Sequence, residues 1–513
     1  MLSLKAVLRF ASVAVAVVLP TLAQAQAPEP SLSVRSPPVS YNNTLVKQRA
    51  DPQILKHTNG RYYFIATVPE YDRVVMRQAD SIQGLSTAEE RLIWARSQSK
   101  AGVGYVWAPE LHKIGDKWYI YFALGRTAPF DVRPFVLEGT GSDDPMAASW
   151  AEKGFITTDF DTFSLDATTF EVNGVRYLSW AQADPRFDNG GGTSLFLARM
   201  TNPWTIQRPS IVISRPDQPW ERIGHNVNEG SWGMVRNGKV FVTYSAAATD
   251  ANYCMGLLTA DQNADLMNPA SWSKSKDPVF VSNTATSQFG PGHSAFTVSD
   301  DNQSDVLVYH ARQYKDIRGE REFWFPFFFL PLCIRKTLEQ ATDMRNTALD
   351  NPDRMTRVQK LYWRSDGTPD FGIPIPDGPH PVRLRSSADQ TLYVGIANNA
   401  VQSVKDAPVQ NTQFKIVEPG LGGSGTISFE STAQPGKYLS AANGSVSLAT
   451  LSNTSDAGAR SSASFRRVAG LSDATGVSFE SAAQAGSYLV SGGNGAAVSV
   501  APSTGAEATF YLE

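Results

Sequence analysis

Five residues carry the chemistry this sequence offers. Asp51, Trp107, Asp166 and Glu229 each stand 11 residues before an aromatic or β-branched position, namely Tyr62, Trp118, Tyr177 and Val240, and His293 stands 13 before Val306. If the five segments are equivalent, three carboxylates, one imidazole and one indole occupy a single repeated position. An unpaired buried charge is expensive, so such a set is not core filler. Two carboxyl groups suffice to break a glycosidic bond: one protonates the departing oxygen while the other activates a water. With roughly 6.5–9.5 Å between them a water fits and the configuration inverts. A third acid orients the others and raises the pKa of the proton donor by like-charge repulsion. Clustered carboxylates also bind hard cations such as calcium, or join salt-bridge networks. No Arg or Lys shares the register and the acids come from separate segments, which favours catalysis.

The elements that must position these residues repeat. "ADPQILKHTNGRYYFIAT", "VWAPELHKIGDKWYIYFA", "LDATTFEVNGVRYLSWA", "NEGSWGMVRNGKVFVTYSA" and "GHSAFTVSDDNQSDVLVYHA" each read as strand, turn, strand. Asn-Gly and Gly-Asp at the turns are strong hairpin signals, and "RYYFIAT" and "KWYIYFA" alternate with period two. Successive turns lie roughly 55 to 65 residues apart, room for two more strands per unit. Five four-stranded units on a ring predict a five-bladed β-propeller over residues 41–376, in preference to a sandwich of unrelated hairpins. In a propeller the innermost strands crowd the axis, so the five equivalent residues share one mouth.

Composition narrows the partner. Hydrophobic residues make up 42% and charged residues 19% of the 513, enough apolar material for a real core. The net charge is −3 and no Lys/Arg block occurs, which argues against nucleic acid. Aromatics reach 11%, with 11 Trp and 17 Tyr, which favours a carbohydrate partner. Cys254 and Cys333 are the only cysteines, too few for a disulfide scaffold or a thiolate cluster. Residues 1–25 combine Lys5, Arg9, the apolar run "FASVAVAVVLPTLA" and an Ala23-Gln24-Ala25 cleavage triplet, and read as a signal peptide of a secreted, extracellular protein. The run is short and broken by Pro20, so it is not read as a membrane anchor. Residues 26–40 read as a Pro/Ser-rich linker, and sequons stand at Asn42, Asn302, Asn443 and Asn453.

The tail, residues 377–513, repeats on a different period. "QTLYVGIANNAVQSV", "GKYLSAANGSVSLAT" and "GSYLVSGGNGAAVSV" align on Tyr393, Tyr438 and Tyr488, and a second series runs Phe414, Phe465, Phe510. Three all-β repeats of about 45 residues predict a β-trefoil. The fold class expected is therefore all-β, a five-bladed propeller followed by a trefoil.

"RADPQILK", "WAPEL", "FSLDATTF", "NEGSWG" and "GPGHSAF" resemble, in order, the motifs of the family 43 glycoside hydrolases. The resemblance implies an inverting five-bladed enzyme with Asp51 as general base, Asp166 as the pKa-tuning and orienting acid, and Glu229 as general acid. It implies that Trp107 walls the sugar and that His293 is an axial residue facing a bound water or cation. No catalytic cofactor is implied; a structural calcium or sodium ion near His293 is compatible with it. The tail resembles the arabinofuranose-binding modules of family 42, but lacks the His that follows "YL" in those modules, so it reads equally as a sugar-binding module or as a spacer. The pairing points to α-L-arabinofuranose, and the propeller's long "YHARQY…RVQKLYWRSDGTPDFGIP" tail is similar to family members that trim single arabinoses from a chain end, so the resemblance implies an exo-acting α-L-arabinofuranosidase on arabinan or arabinoxylan. An endo-arabinanase or β-xylosidase is the nearest alternative, and a secreted lectin the non-enzyme one. A monomer is the default expectation.

Two segments stand apart. Tyr309, His310 and Arg312 in "YHARQY" look like a rim segment, with Arg312 donating to sugar hydroxyls or pairing with a nearby acid. Residues 321–347, "REFWFPFFFLPLCIRKTLEQATDMRNT", interrupt the fifth unit. Their 12-residue apolar core holds two prolines and is too short to span a membrane. The insertion reads as a translated intron or gene-model error, or else as a hydrophobic loop or partner patch.

Overall fold

A computed structural model describes residues 40–187, 192–316 and 348–513. The signal-peptide and linker readings for residues 1–39, and the insertion at 321–347, lie outside the described residues. Among the described residues no helix is long and apolar enough to cross a membrane.

Five antiparallel sheets follow one another along the chain. Blade one comprises Ala50–Lys56, Tyr62–Thr67, Arg73–Ala79 and Arg91–Ala95. Blade two comprises Val106–Ile114, Lys117–Gly125, Val132–Thr140 and Ser149–Phe155. Blade three opens with Ser164–Val172, Val175–Gln182 and Ser194–Asn202; blade four with Asn228–Arg236, Lys239–Ala246 and Cys254–Asp261. Blade five takes Phe289–Val298 and Asp305–Arg312, then resumes at Met355–Trp363 beyond residues 317–347. The first strand of every blade contacts the first strands of both neighbours, which closes the ring and makes the chain's larger part a five-bladed β-propeller.

The period-two pattern serves a purpose other than separating core from solvent. Tyr62–Thr67 is buried on both faces. Tyr62 and Phe64 pack with Val306 and Val308 of blade five, while Tyr63 and Ile65 pack with Trp118 and Ile120 of blade two. Alternate side chains thus enter two different inter-blade cores. Near the ring's closure, Asn43 clips the chain's start to blade five by exchanging two hydrogen bonds with the Val358 backbone, at 3.0 Å each.

Each first strand carries a β-bulge near its start, where two residues oppose one. The pairing jumps from Ala50 to Gln53, Trp107 to Glu110, Leu165 to Thr168, Glu229 to Trp232 and Gly292 to Ala295. The residue inside the bulge adopts left-handed backbone in all five blades: Asp51 (φ 52°), Ala108 (45°), Asp166 (54°), Gly230 (54°) and His293 (46°). This corrects the register counted from sequence. Asp51, Asp166 and His293 are equivalent, but Trp107 and Glu229 stand one residue earlier, level with Ala50. Counting across the hairpins misleads because blade one has a five-residue turn where blades two to four have two. In blade three, moreover, Arg176 and not Tyr177 is level with Tyr62.

The C-terminal strands, from Val382–Ser386 to Phe510–Leu512, join into one twelve-stranded sheet that runs through three repeats. Leu384, Phe414, Phe429, Leu439, Phe465, Phe479, Leu489 and Phe510 meet in a single core. The phenylalanine series is fully buried, whereas Tyr393, Tyr438 and Tyr488 are half-buried. Contact with the propeller is polar and specific: Asp370 accepts from the Val409 N–H at 3.1 Å, and Arg383 lies 4.7 Å over the Tyr362 ring.

Candidate active site

A bulge leaves a backbone N–H without its ladder partner, and a buried donor must find another acceptor. Here the preceding blade supplies it. Thr67 of blade one accepts the Ala108 N–H at 2.7 Å, Ser245 of blade four accepts that of His293 at 2.7 Å, and His310 Nδ1 of blade five accepts that of Asp51 at 3.1 Å. Asp166 of blade three accepts the Gly230 N–H at 2.9 Å through its carboxylate. The left-handed conformation that turns these residues toward the mouth is thereby held from the adjacent blade.

Asp51 is 7% exposed and carries two further donors. Its Oδ2 accepts from the Thr67 hydroxyl at 2.7 Å, and its Oδ1 from Arg354 Nη1 at 3.0 Å. Burial alone would raise its pKa, but the Arg354 guanidinium, helped by the Thr67 hydroxyl, outweighs it and holds the carboxyl below the usual carboxylate range. Arg354 also donates to the Tyr71 hydroxyl at 3.2 Å, and that hydroxyl donates to the Leu349 carbonyl at 2.5 Å.

Asp166 and Glu229 have no such cation of their own. Burial pushes Asp166 up, and the charges of Glu229 and Asp51 push it well above the carboxylate range. Burial also lifts Glu229, to about 7, with Asp51 adding to the rise and the Tyr253 hydroxyl and Arg354 opposing it. The two acids titrate as a pair that keeps a proton at neutral pH. Asp166 is enclosed, whereas Glu229 is half-buried and accepts from Tyr253 Oη at 2.8 Å. The arrangement separates one ionised carboxylate from one proton-holding pair within a single mouth.

His293 joins the two sides: its Nδ1 lies 3.4 Å from Asp51 Oδ1 and 3.9 Å from Asp166 Oδ2. Burial lowers the pKa of His293, and lowers that of His310 well below the usual value, so both rings are neutral near pH 7. The close packing of His293 requires Gly230, because a Cβ there would lie 3.0 Å from Nδ1. Among the described residues no cluster of three or more His, Cys, Asp or Glu side chains is placed to hold a metal ion. Trp107 is buried against Tyr71, Tyr105 and Phe130, with ring centroids 5.9, 5.1 and 5.5 Å away, and Phe130 is 50% exposed at the end of this cluster.

Arg312 does not occupy the place expected for it. It is 1% exposed and donates to the Thr249, Ala348 and Asn351 carbonyls and to Asn351 Oδ1. Its buried guanidinium braces backbone, and among the described residues its hydrogen-bond partners are carbonyls and an amide and not a carboxylate. Burial, followed by repulsion from Arg354, lowers its pKa to about 9. The arginine that does reach a carboxylate is Arg354, which sequence reasoning passed over together with Thr67, Tyr253 and Tyr71. Thr67 sits opposite the residue before the bulge, as do Ser245 and His310, a register that only the folded sheet reveals.

Residues 41–369 match the family model for glycosyl hydrolases family 43, and residues 382–511 that for the alpha-L-arabinofuranosidase B (ABFB) domain. The chain is 94% identical over the full length of both proteins to alpha-L-arabinofuranosidase B of Pyricularia oryzae. It is 50% identical over 399 residues, 77% of this chain and 76% of the relative, to an extracellular exo-alpha-(1->5)-L-arabinofuranosidase of Streptomyces avermitilis. Among solved structures, the alpha-L-arabinofuranosidase from Lactobacillus brevis superposes with a TM-score of 0.57 at 42% identity, over 66% of this chain and 98% of that one. With two families of acid on one propeller mouth and a family model spanning that whole propeller, the chain belongs to glycosyl hydrolases family 43 and is a glycoside hydrolase.

Proposed function

We propose that the protein is a secreted, exo-acting α-L-arabinofuranosidase that releases arabinose from arabinan or arabinose-substituted hemicellulose with inversion at the anomeric carbon. The observation that carries the chemistry is the division of partners in the mouth: Asp51 is held ionised by hydrogen bonds from Arg354 and Thr67, while Asp166 and Glu229, bonded by an amide and a phenol, are raised by burial so that the pair keeps a proton near neutral pH. A general base and a general acid must differ in just this way at one pH. The relatives named as arabinofuranosidases, one of them exo-acting and extracellular, and the ABFB match in the tail support the choice of sugar and of secretion.

Asp51 takes a proton from a water as the water oxygen bonds to the anomeric carbon. The bond from that carbon to the departing oxygen breaks, and Glu229 gives its proton to that oxygen. Glu229 is the deliverer because it is the half-buried member of the pair. Asp166 holds the peptide of Gly230, and so the backbone that carries Glu229. Trp107 supplies an apolar wall. The scheme draws on no cofactor.

The test is a substrate panel of debranched arabinan, arabinoxylan, xylobiose and nitrophenyl glycosides, with products sized and the first-formed anomer read by NMR. Free arabinose of inverted configuration is the expected product. Arabino-oligosaccharides as first products would make the enzyme endo-acting, xylose from xylobiose would change the sugar, and a retained anomer would overturn the single-displacement scheme.

A further inference from the structure

Ser245, His310 and Asp166 each cap a bulge by accepting its N–H, but Thr67 also donates, doing two things with one oxygen. Its Oγ1 accepts the Ala108 N–H at 2.7 Å, which orients the hydroxyl proton away from blade two, and it donates that proton to Asp51 Oδ2 at 2.7 Å. Thr67 is 2% exposed, which shields its hydroxyl from bulk solvent. A threonine hydroxyl has a single proton to give, and the Ala108 amide fixes where it goes. The other carboxylate oxygen is engaged by Arg354. The Asp51 carboxylate plane is therefore defined at both oxygens, one by a guanidinium and one by a hydroxyl.

We infer that Thr67 is a positioning residue for the hydrolytic reaction, setting the orientation of the Asp51 carboxylate toward the attacking water and locking it to the backbone beside Trp107. This rests on the reading of Asp51 as general base. Displacing a reacting group by about 1 Å costs on the order of a hundredfold in rate, whereas ground-state sugar contacts are untouched. The effect belongs in kcat and not in KM. It is also independent of the leaving group, because the water must be activated whichever oxygen departs.

Thr67→Val keeps the shape and removes the hydroxyl, Thr67→Ser restores it, and Thr67→Cys puts a weak donor in its place. For the full-length protein on both arabinan and nitrophenyl α-L-arabinofuranoside, Thr67→Val is expected to lower kcat about 10- to 100-fold on each substrate, with KM within about threefold. Thr67→Ser should stay within about threefold of the parent and Thr67→Cys should fall between. Thermal midpoints of all variants are recorded alongside. If Thr67→Val does not fold, the Ser-to-Cys ratio carries the test. A parental kcat in Thr67→Val, or a Ser variant as slow as the Val variant, overturns the inference. Asp51→Asn separates the two ideas. If it is nearly fully active, the base assignment fails. If it is inactive while Thr67→Val is not impaired, only the role of Thr67 fails.

Discussion

Arg354 Nη1 stands 3.0 Å from Asp51 Oδ1, although 303 residues separate them in the chain. It is the one guanidinium among the described residues that meets an acid of the mouth, and it divides three similar acids into two kinds. Asp51 has a full cation and a hydroxyl; Asp166 and Glu229 have an amide and a phenol. Burial acts on all three; Asp51 is pulled down by its cation and hydroxyl, whereas the charges of the neighbouring acids raise Asp166 and Glu229 further.

Removing that cation should expose Asp51 to the desolvation it now resists. Arg354→Met leaves a buried carboxylate with only Thr67 and neutral imidazoles, and its pKa rises. A base whose pKa rises is lost as pH falls through the new value. The variant is expected to show a new acid limb in kcat/KM within the measurable range. Breaking this buried pair should also cost about 3–5 kcal/mol of stability, read as a lowered thermal midpoint. An unchanged acid limb would show that Arg354 does not set the state of Asp51.

The two carboxylic roles should separate by leaving group. Asp51→Asn is expected to cost about a thousandfold or more on every substrate, since each requires water activation. Glu229→Gln should cost as much on arabinan but far less on nitrophenyl arabinofuranoside, whose departing phenolate needs little protonation. Circular dichroism should leave both variants folded, and equal losses on both substrates for Glu229→Gln would sink its role as acid.

Glu229 must hold its proton, so activity should fall as pH rises through its pKa, near 7 in the free enzyme. The Tyr253 hydroxyl bonds Glu229 Oε1 and favours the ionised form. Tyr253→Phe removes that donor and raises the pKa, so the alkaline limb of kcat/KM is expected to move up by about one pH unit. A limb that moves down or does not move would contradict this.

Gly230 is needed for both conformation and space. Its φ is +54°, and a Cβ would lie 3.0 Å from His293 Nδ1 and 3.1 Å from its Cγ. Gly230→Ala should cost about 1–3 kcal/mol of stability, read as a lowered thermal midpoint, and should lower kcat by displacing His293 and the Asp166 contact. A parental midpoint would mean that the ring moves aside freely.

Much of this was legible in sequence, because it is local. The hairpins at Asn59-Gly60, Asn173-Gly174 and Asn237-Gly238 show in turn chemistry, and the apolar strands between them in their composition. The choice of Asp51, Asp166 and Glu229 follows from acids recurring where a ring of blades would bring them together. The tertiary structure decided the rest. Register at the mouth depends on β-bulges and turn lengths, which shift Trp107 and Glu229 by one residue and cannot be counted from hairpin spacing. The partners that give each acid its proton affinity come from other strands. Arg354 resumes blade five only after residues 317–347, Thr67 reaches across to blade two, and Arg312, a plausible sugar ligand by position, turns inward to backbone carbonyls. Side-chain type sets what a residue is able to do, but its charge state is set by neighbours within a few ångströms, and those are assembled by contacts between residues far apart in the chain.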